Sequence, residues 1–142
     1  VKNANEEIDA LHRIDPSVTA VVDERFASVV GKAVPVDSLA TVELTDYQPN
    51  ALKYKVSSAQ GGVVIFSEIY YPGWQSSIDG RPVEHGRADY VLRALQVPAG
   101  EHIVEFTFDP QSLHITETLA YCALVLLLLG VVFWLFRFVR KQ

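Results

Sequence analysis

The densest group of chemically capable side chains lies between Ser67 and Pro82, in the string SEIYYPGWQSSIDGRP. Tyr70, Tyr71 and Trp74 bracket a Pro72-Gly73 turn, and Glu68, Asp79, Arg81 and Arg87 supply charges nearby. Aromatic faces beside carboxylates suit a carbohydrate, because rings stack on the apolar C–H faces of a sugar while acids accept bonds from its hydroxyls. Glu68, Tyr70, Tyr71, Trp74 and Arg87 are therefore the expected ligand or acceptor contacts. The same aromatics equally suit packing at a sandwich corner, where rings supply large buried area, or docking against another part of the same protein.

Other chemistry is hard to place. The chain has no glycine-rich phosphate loop, no GxSxG elbow and no Cys or His spacing suited to zinc. His12, His85, His102 and His114 are scattered, which favours solvated or hydrogen-bonded roles over metal ligation. The expectation is a segment with no catalytic residue, no metal and no cofactor of its own.

The element that must position everything else is the run Leu119 to Phe136, LAYCALVLLLLGVVFWLF, which is free of charge and is followed by Arg137, Arg140 and Lys141. At 1.5 Å per helical residue such a run spans most of a bilayer core of roughly 30 Å. No Lys or Arg occurs from Ala94 to Phe136, so the positive-inside rule puts the C-terminus in the cytoplasm and the preceding residues outside. Membrane lipid around Leu119 to Phe136 is thus an expected partner.

Residues 1 to 118 carry nine Lys or Arg against seventeen Asp or Glu, a balance that disfavours nucleic acid or an anionic membrane surface. The only cysteine, Cys122, falls within the apolar run and leaves no intrachain disulfide to staple the domain. The chain opens VKNANEEIDALHRIDP without an apolar signal segment and holds no methionine. An outside domain needs delivery, so an upstream transmembrane part of the same protein is expected.

Asn5 is expected to cap a short helix from Glu6 to His12, with acids in its first turn. Beyond Asp15-Pro16 the hydrophobic period changes from helical to alternating. Strands are expected at Thr19 to Val22, Leu39 to Thr45, Leu52 to Ser57, Gly62 to Tyr70, Trp74 to Ile78, Tyr90 to Val97 and His102 to Phe108. Leu52, Tyr54 and Val56 alternate with Lys53, Lys55 and Ser57, and the continuous run Val63 to Phe66 suits a central strand covered on both faces. Pro49-Asn50, Gln60-Gly61-Gly62, Pro72-Gly73, Asp79-Gly80 and Pro98-Ala99-Gly100 punctuate these runs. Asp79-Gly80 is a hairpin signal, Pro82 places that hairpin at a sheet edge, and Pro98 to Gly100 is expected to close a second hairpin.

Seven short strands with this spacing predict a mainly β protein: an antiparallel β-sandwich, jelly-roll or Ig-like, with a short N-terminal helix and a C-terminal transmembrane α-helix. The expected divisions are an N-terminal helical segment at 1–17, an extracytoplasmic sandwich at 18–110, a juxtamembrane linker at 111–118, the transmembrane helix at 119–139 and a cytoplasmic tail at 140–142.

The string FSEIYYPGWQSSIDGRPVE, followed by ADYVLRALQVPAGEHIVEFTFDP and a terminal span, resembles the C-terminal end of YfhO-type bacterial membrane proteins, as does the earlier IDPSVTAVVDERF. The most specific parts are Tyr71-Pro72-Gly73-Trp74, Asp79-Gly80 and Val97-Pro98-Ala99-Gly100-Glu101-His102. The resemblance implies a multi-pass protein similar to C-type membrane glycosyltransferases, which take sugar from a polyprenyl-phosphate carrier at the outer membrane face. It also implies that the catalytic acid belongs to an early extracytoplasmic loop, so no catalytic residue is carried over here. The expected function is that of a non-catalytic accessory domain with a glycan or polyprenyl-linked sugar as its partner. The alternative is a membrane-anchored carbohydrate-binding or protein-interaction module without enzymatic activity.

Overall fold

The computed structural model describes residues 1–31 and 37–140 and divides into two compact units, Val1–Asp109 and Pro110–Gln142. In the first unit, α1 spans Ala4–Leu11, and its cap is Asn3 rather than Asn5. The Asn3 side chain accepts the Glu6 N–H at 3.0 Å while Glu6 accepts the Lys2 N–H at 3.0 Å. An Asn three residues before a Glu satisfies two donors at once, which Asn5 could not do with its own neighbours.

Among the described residues, eight strands form two antiparallel sheets. One runs in the order β1 (Thr41–Gln48), β2 (Ala51–Ser58), β8 (Gly100–Phe108), β4 (Trp74–Ile78), β5 (Arg81–Val83). The other runs β3 (Gly62–Ile69), β7 (Leu92–Val97), β6 (Gly86–Ala88). Between them lies the main core, in which Leu52, Tyr54, Val56, Ile78, Val104 and Phe106 of the wider sheet meet Phe66, Leu95 and Val97 of the narrower one. Tyr54, Phe66 and Phe106 pack edge to face, with Phe66 at 4.8 and 4.9 Å from the other two rings. This is the expected antiparallel sandwich.

Several local expectations are corrected by pairing. β1 begins at Thr41 and runs past Thr45 to Gln48, because a bulge between Leu44 and Asp46 shifts the alternation by one. Val42, Leu44 and Tyr47 consequently pair with Val56, Tyr54 and Leu52 and share their face. Thr19 to Val22 is not a strand: Val22 makes a single bridge to Ala88, and Val21 is held by Asp89, whose Oδ1 accepts its N–H at 2.7 Å. β7 starts at Leu92 because Asp89 and Tyr90 occupy positive φ, which ends the extended backbone.

The run Val63 to Phe66 belongs to β3, an edge strand rather than a central one. Its continuous apolarity still reports two covered faces. Val64 and Phe66 meet the main core, whereas Val63 and Ile65 pack with Val22, Phe26, Val30, Ala88 and Ala94 on the far side of the narrow sheet. Val30 belongs to α2 (Ala27–Val30), which closes that second layer.

Asp79-Gly80 makes the expected tight hairpin, with φ of 52° and 75° and Ile78 opposite Arg81. Pro82 sits in the edge strand β5, where its missing N–H costs no ladder bond. Pro98 to Gly100, by contrast, closes no hairpin, since β7 pairs with β3 and β6 whereas β8 pairs with β2 and β4. It carries the chain from one sheet to the other. A Cβ on Gly61 would lie 2.7 Å from Ala99 N, so the Ser58-to-Gly62 crossover needs glycine there to pass beside it.

The second unit is α3, a single helix over Gln111–Val139. Its 29 residues make it about 43 Å long, enough to cross a membrane. Residues 111–118 form its first two turns, where Thr116 and Thr118 hydroxyls donate to the carbonyls of Ser112 and His114. Arg137 and Arg140 lie at its C-terminal end, and Lys141 lies outside the described residues.

Candidate functional site

The edge of the large sheet is incomplete at β4. β5 pairs with Ser76 to Ile78, and among the described residues no strand pairs with Trp74 and Gln75 on that side. A cavity of about 630 Å³ opens there, with Tyr70, Trp74, Ser76, Val83 and His85 on one side and Gln75, Ser77, Glu105 and Thr107 on the other. Glu84 and Pro82 complete its rim.

His85 is held firmly inside it. The ring stands edge-on to Tyr70 at 5.5 Å and to Phe106 at 5.4 Å. Its Nδ1 is 2.9 Å from Ser76 Oγ, and Ser76 Oγ donates to the Val83 carbonyl at 2.7 Å. A hydroxyl has one proton, and the carbonyl takes it, so Nδ1 must be the donor to Ser76. Nε2 is left as a bare acceptor, buried and without a hydrogen-bond partner among the described residues. Burial, with the nearby charge of Arg93 second, pushes the ring's pKa down to about 4.

Arg93 is the buried cation behind this wall. It is 2% exposed, and its guanidinium carbon lies 3.8 Å from the Trp74 ring centroid and 5.1 Å from that of Phe106. Nε donates to the Ile69 carbonyl at 3.0 Å, while Nη1 is buried without a hydrogen-bond partner among the described residues. Glu68 supplies the opposing charge, and the Tyr54 hydroxyl's pKa is raised by burial first and by the charge of Glu68 next.

Of the five residues expected to contact a ligand, Tyr70 and Trp74 line the cavity. Glu68 stands behind with Arg93 and Tyr54, coupled to the site through the Trp74 stack. Tyr71 lies outside, exposed, with its ring 6.3 Å from Phe108. Arg87 is elsewhere: its Nη2 donates to Glu7 at 2.7 Å and lies 3.8 Å from Asp23, with the Phe26 and Tyr90 rings on either side. It clasps α1 to the sandwich.

The sequence reading missed His85, Ser76 and Arg93. A usable signal existed for Arg93, because Leu95 and Val97 point inward and alternation puts Arg93 on their face. None existed for His85, whose neighbours depend on the turn after β5.

The site makes stability depend on pH. The folded ring resists protonation that the unfolded ring accepts near 6.5, so stability is present above pH 6.5 and falls as pH drops toward about 4. Discounted for partial solvent screening, the loss should be about 2 kcal/mol. Asp23 is held by Arg25 at about 2 and Asp79 is held low by His102, so both carboxyls are lost only at lower pH. His102, raised by Asp79, acts in the opposite sense above 6.5. Thermal melts of the full chain in detergent should show the slope between pH 6.5 and 4, and His85→Asn should flatten it. An unchanged slope in that variant would remove His85 as its source.

A β-sandwich with an edge cavity, on a chain that also has a bilayer-length helix, defines a membrane protein carrying a folded β domain. The sequence model of the family described as bacterial membrane protein YfhO matches residues 30–120, more than half of the chain, and the chain belongs to that family. No curated protein and no solved structure matches it.

Proposed function

We propose that the sandwich is the extracytoplasmic accessory domain of a multi-pass, glycosyltransferase-like membrane protein. That protein would move sugar from a polyprenyl-phosphate donor to a cell-envelope acceptor, with catalysis outside this segment and the basic end of α3 in the cytoplasm. The observation that supports it is the β4 edge cavity, with the Tyr70 and Trp74 rings on one side of the edge, Ser77 and Glu105 on the other and Glu84 at the rim. Flat apolar faces next to hydroxyl and carboxylate groups match the alternating C–H and O–H surface of a sugar.

Trp74→Leu keeps apolar cover on Arg93 and removes the flat ring. In the full-length protein it should lower sugar transfer about tenfold, the equivalent of about 1.4 kcal/mol, while circular dichroism shows the sandwich intact. Unchanged turnover in a folded variant would end the contact role. Absence of any sugar transfer by the full-length protein would end the glycosyltransferase reading itself.

A further inference from the structure

We infer that the end of the sandwich from which the chain runs into α3 is a membrane-seating surface, its exposed Tyr47, Ile69, Tyr71 and Val91 resting in the neutral interfacial layer of a bilayer. The inference rests on α3 spanning that bilayer and is independent of the glycan reading.

Strand register brings these residues to one end. Gln48, Ala51, Thr107 and Gln75 follow one another across β1, β2, β8 and β4, so the β1–β2 turn, the last residues of β8 and the start of β4 lie together. Two backbone bonds tie the turns to the departing chain: the Phe108 N–H donates to the Asn50 carbonyl at 2.8 Å, and the Asp109 N–H to the Gly73 carbonyl at 2.9 Å. The Tyr71 ring lies 6.3 Å from that of Phe108. The Tyr70 N–H donates to the Val91 carbonyl at 2.7 Å, and Ile69 pairs with Leu92, which brings the matching end of the narrow sheet to the same place.

Tyr47, Ile69 and Tyr71 are 64%, 66% and 60% exposed, and Val91 is 44% exposed. One exposed apolar side chain is ordinary, but four at one end of a domain mark a surface that another apolar phase covers. The turns at the other end, 58–61, 78–81 and 98–101, hold no aromatic residue and carry Asp79, Arg81 and Glu101.

The chain itself says what covers the apolar end. α3 begins at Gln111, two residues after Asp109, and residues 111–118 span about 12 Å before the apolar run starts at Leu119. Whatever direction α3 takes, the point of departure lies within little more than that length of the hydrocarbon, and the headgroup layer fills roughly 5–8 Å of it. Tyrosine, with an apolar ring and a polar hydroxyl, is favoured in that layer. Charge fixes the kind of surface: residues 46–51, 69–74, 89–92 and 107–110 contain three Asp and no Lys or Arg, so they offer nothing to anionic headgroups. Trp74 starts β4 at this same end, so the seat holds the β4 edge cavity near the bilayer surface.

The test uses the full chain carrying Cys122→Ala, reconstituted in phosphatidylcholine nanodiscs, with one cysteine introduced at a time and labelled with an NBD fluorophore. Tyr47→Cys and Tyr71→Cys lie on different strands and replace exposed side chains, and circular dichroism checks that each variant is folded. The comparison is Leu39→Cys, at a side chain 85% exposed that Asp37, bonded to Ser58 and the Ala59 N–H, holds at the other end. Lipid spin-labelled at the headgroup should quench the Tyr47 and Tyr71 labels about threefold more than the Leu39 label, and aqueous iodide should rank them in reverse. A label at Leu127→Cys should be quenched by lipid spin-labelled deep in its acyl chain. If it is not, the bilayer-spanning reading of α3 falls and the inference falls with it. If it is, while the Tyr47 and Tyr71 labels match that at Leu39, the seat is overturned and the span stands. Labels shielded from iodide yet untouched by either lipid quencher would show protein as the cover and overturn lipid. Headgroup quenching that appears only with phosphatidylglycerol in the nanodisc would overturn the neutral surface.

Discussion

Arg93→Ala should destabilise the sandwich by about 3–5 kcal/mol, lowering the melting temperature of the full chain in detergent by more than about 10 °C. Arg93 is a charged side chain on the inner face of β7, in line with Leu95 and Val97. Its removal leaves a void between Trp74 and Phe106, deprives the Ile69 carbonyl of its donor, and strips Glu68 of the cation that opposes it. Each loss has the same sign, since polar groups left unpaired in a dry interior keep their desolvation penalty. Arg93→Met separates volume from charge. It refills the void, and it also removes the buried Nη1 that has no partner, so it should cost only about 1–2 kcal/mol. If Arg93→Ala melts with the wild type, the guanidinium is not holding the Trp74 wall.

Glu7→Ala should cost about 3 kcal/mol and release α1 from the sandwich. Glu7 is fully buried, although it lies on a short helix half of whose residues are polar. One oxygen accepts from Arg87 Nη2 at 2.7 Å and the other from the Tyr90 N–H at 2.9 Å. Without it, the carboxylate left to Arg87 among the described residues is Asp23 at 3.8 Å, and a backbone N–H at a positive-φ turn is unmet. Arg87→Ala alone should be comparably harmful. The double variant should lose less than the sum of the two, by about 1–3 kcal/mol, because neither charge is then stranded. Additive losses in thermal melts of the full chain would show that Glu7 and Arg87 act independently, contrary to the clasp. Proteolysis near the N-terminus should accelerate in Glu7→Ala for the same reason.

The clasp also explains why Arg87 misled as a ligand contact. Its sequence distance from Trp74 is short, but β6 belongs to the narrow sheet and β4 to the wide one. Neighbours along the chain are therefore carried to different layers. Tyr70 and Trp74 do line one cavity, because a Pro-Gly corner separates them by only a few residues and β4 begins at Trp74.

Features set by local forces were legible in the residues. The apolar run Leu119 to Phe136 is helical, as expected of a chain with no polar alternative partner for its backbone in hydrocarbon. Leu52, Tyr54 and Val56 are buried as their alternation with lysines required, and Asp79-Gly80 turns the chain because both positions tolerate positive φ. Only tertiary structure decided the rest. Val97-Pro98-Ala99-Gly100 reads locally as a hairpin, yet it joins two sheets, because strand partners are chosen by complementary faces far away in sequence. Arg93 became a buried stack, Glu7 a clasp and His85 an acceptor through residues more than twenty, eighty and nine positions away, respectively. Periodicity determines which face a side chain presents; what stands opposite that face, and hence its protonation and chemistry, depends on packing that no local pattern encodes.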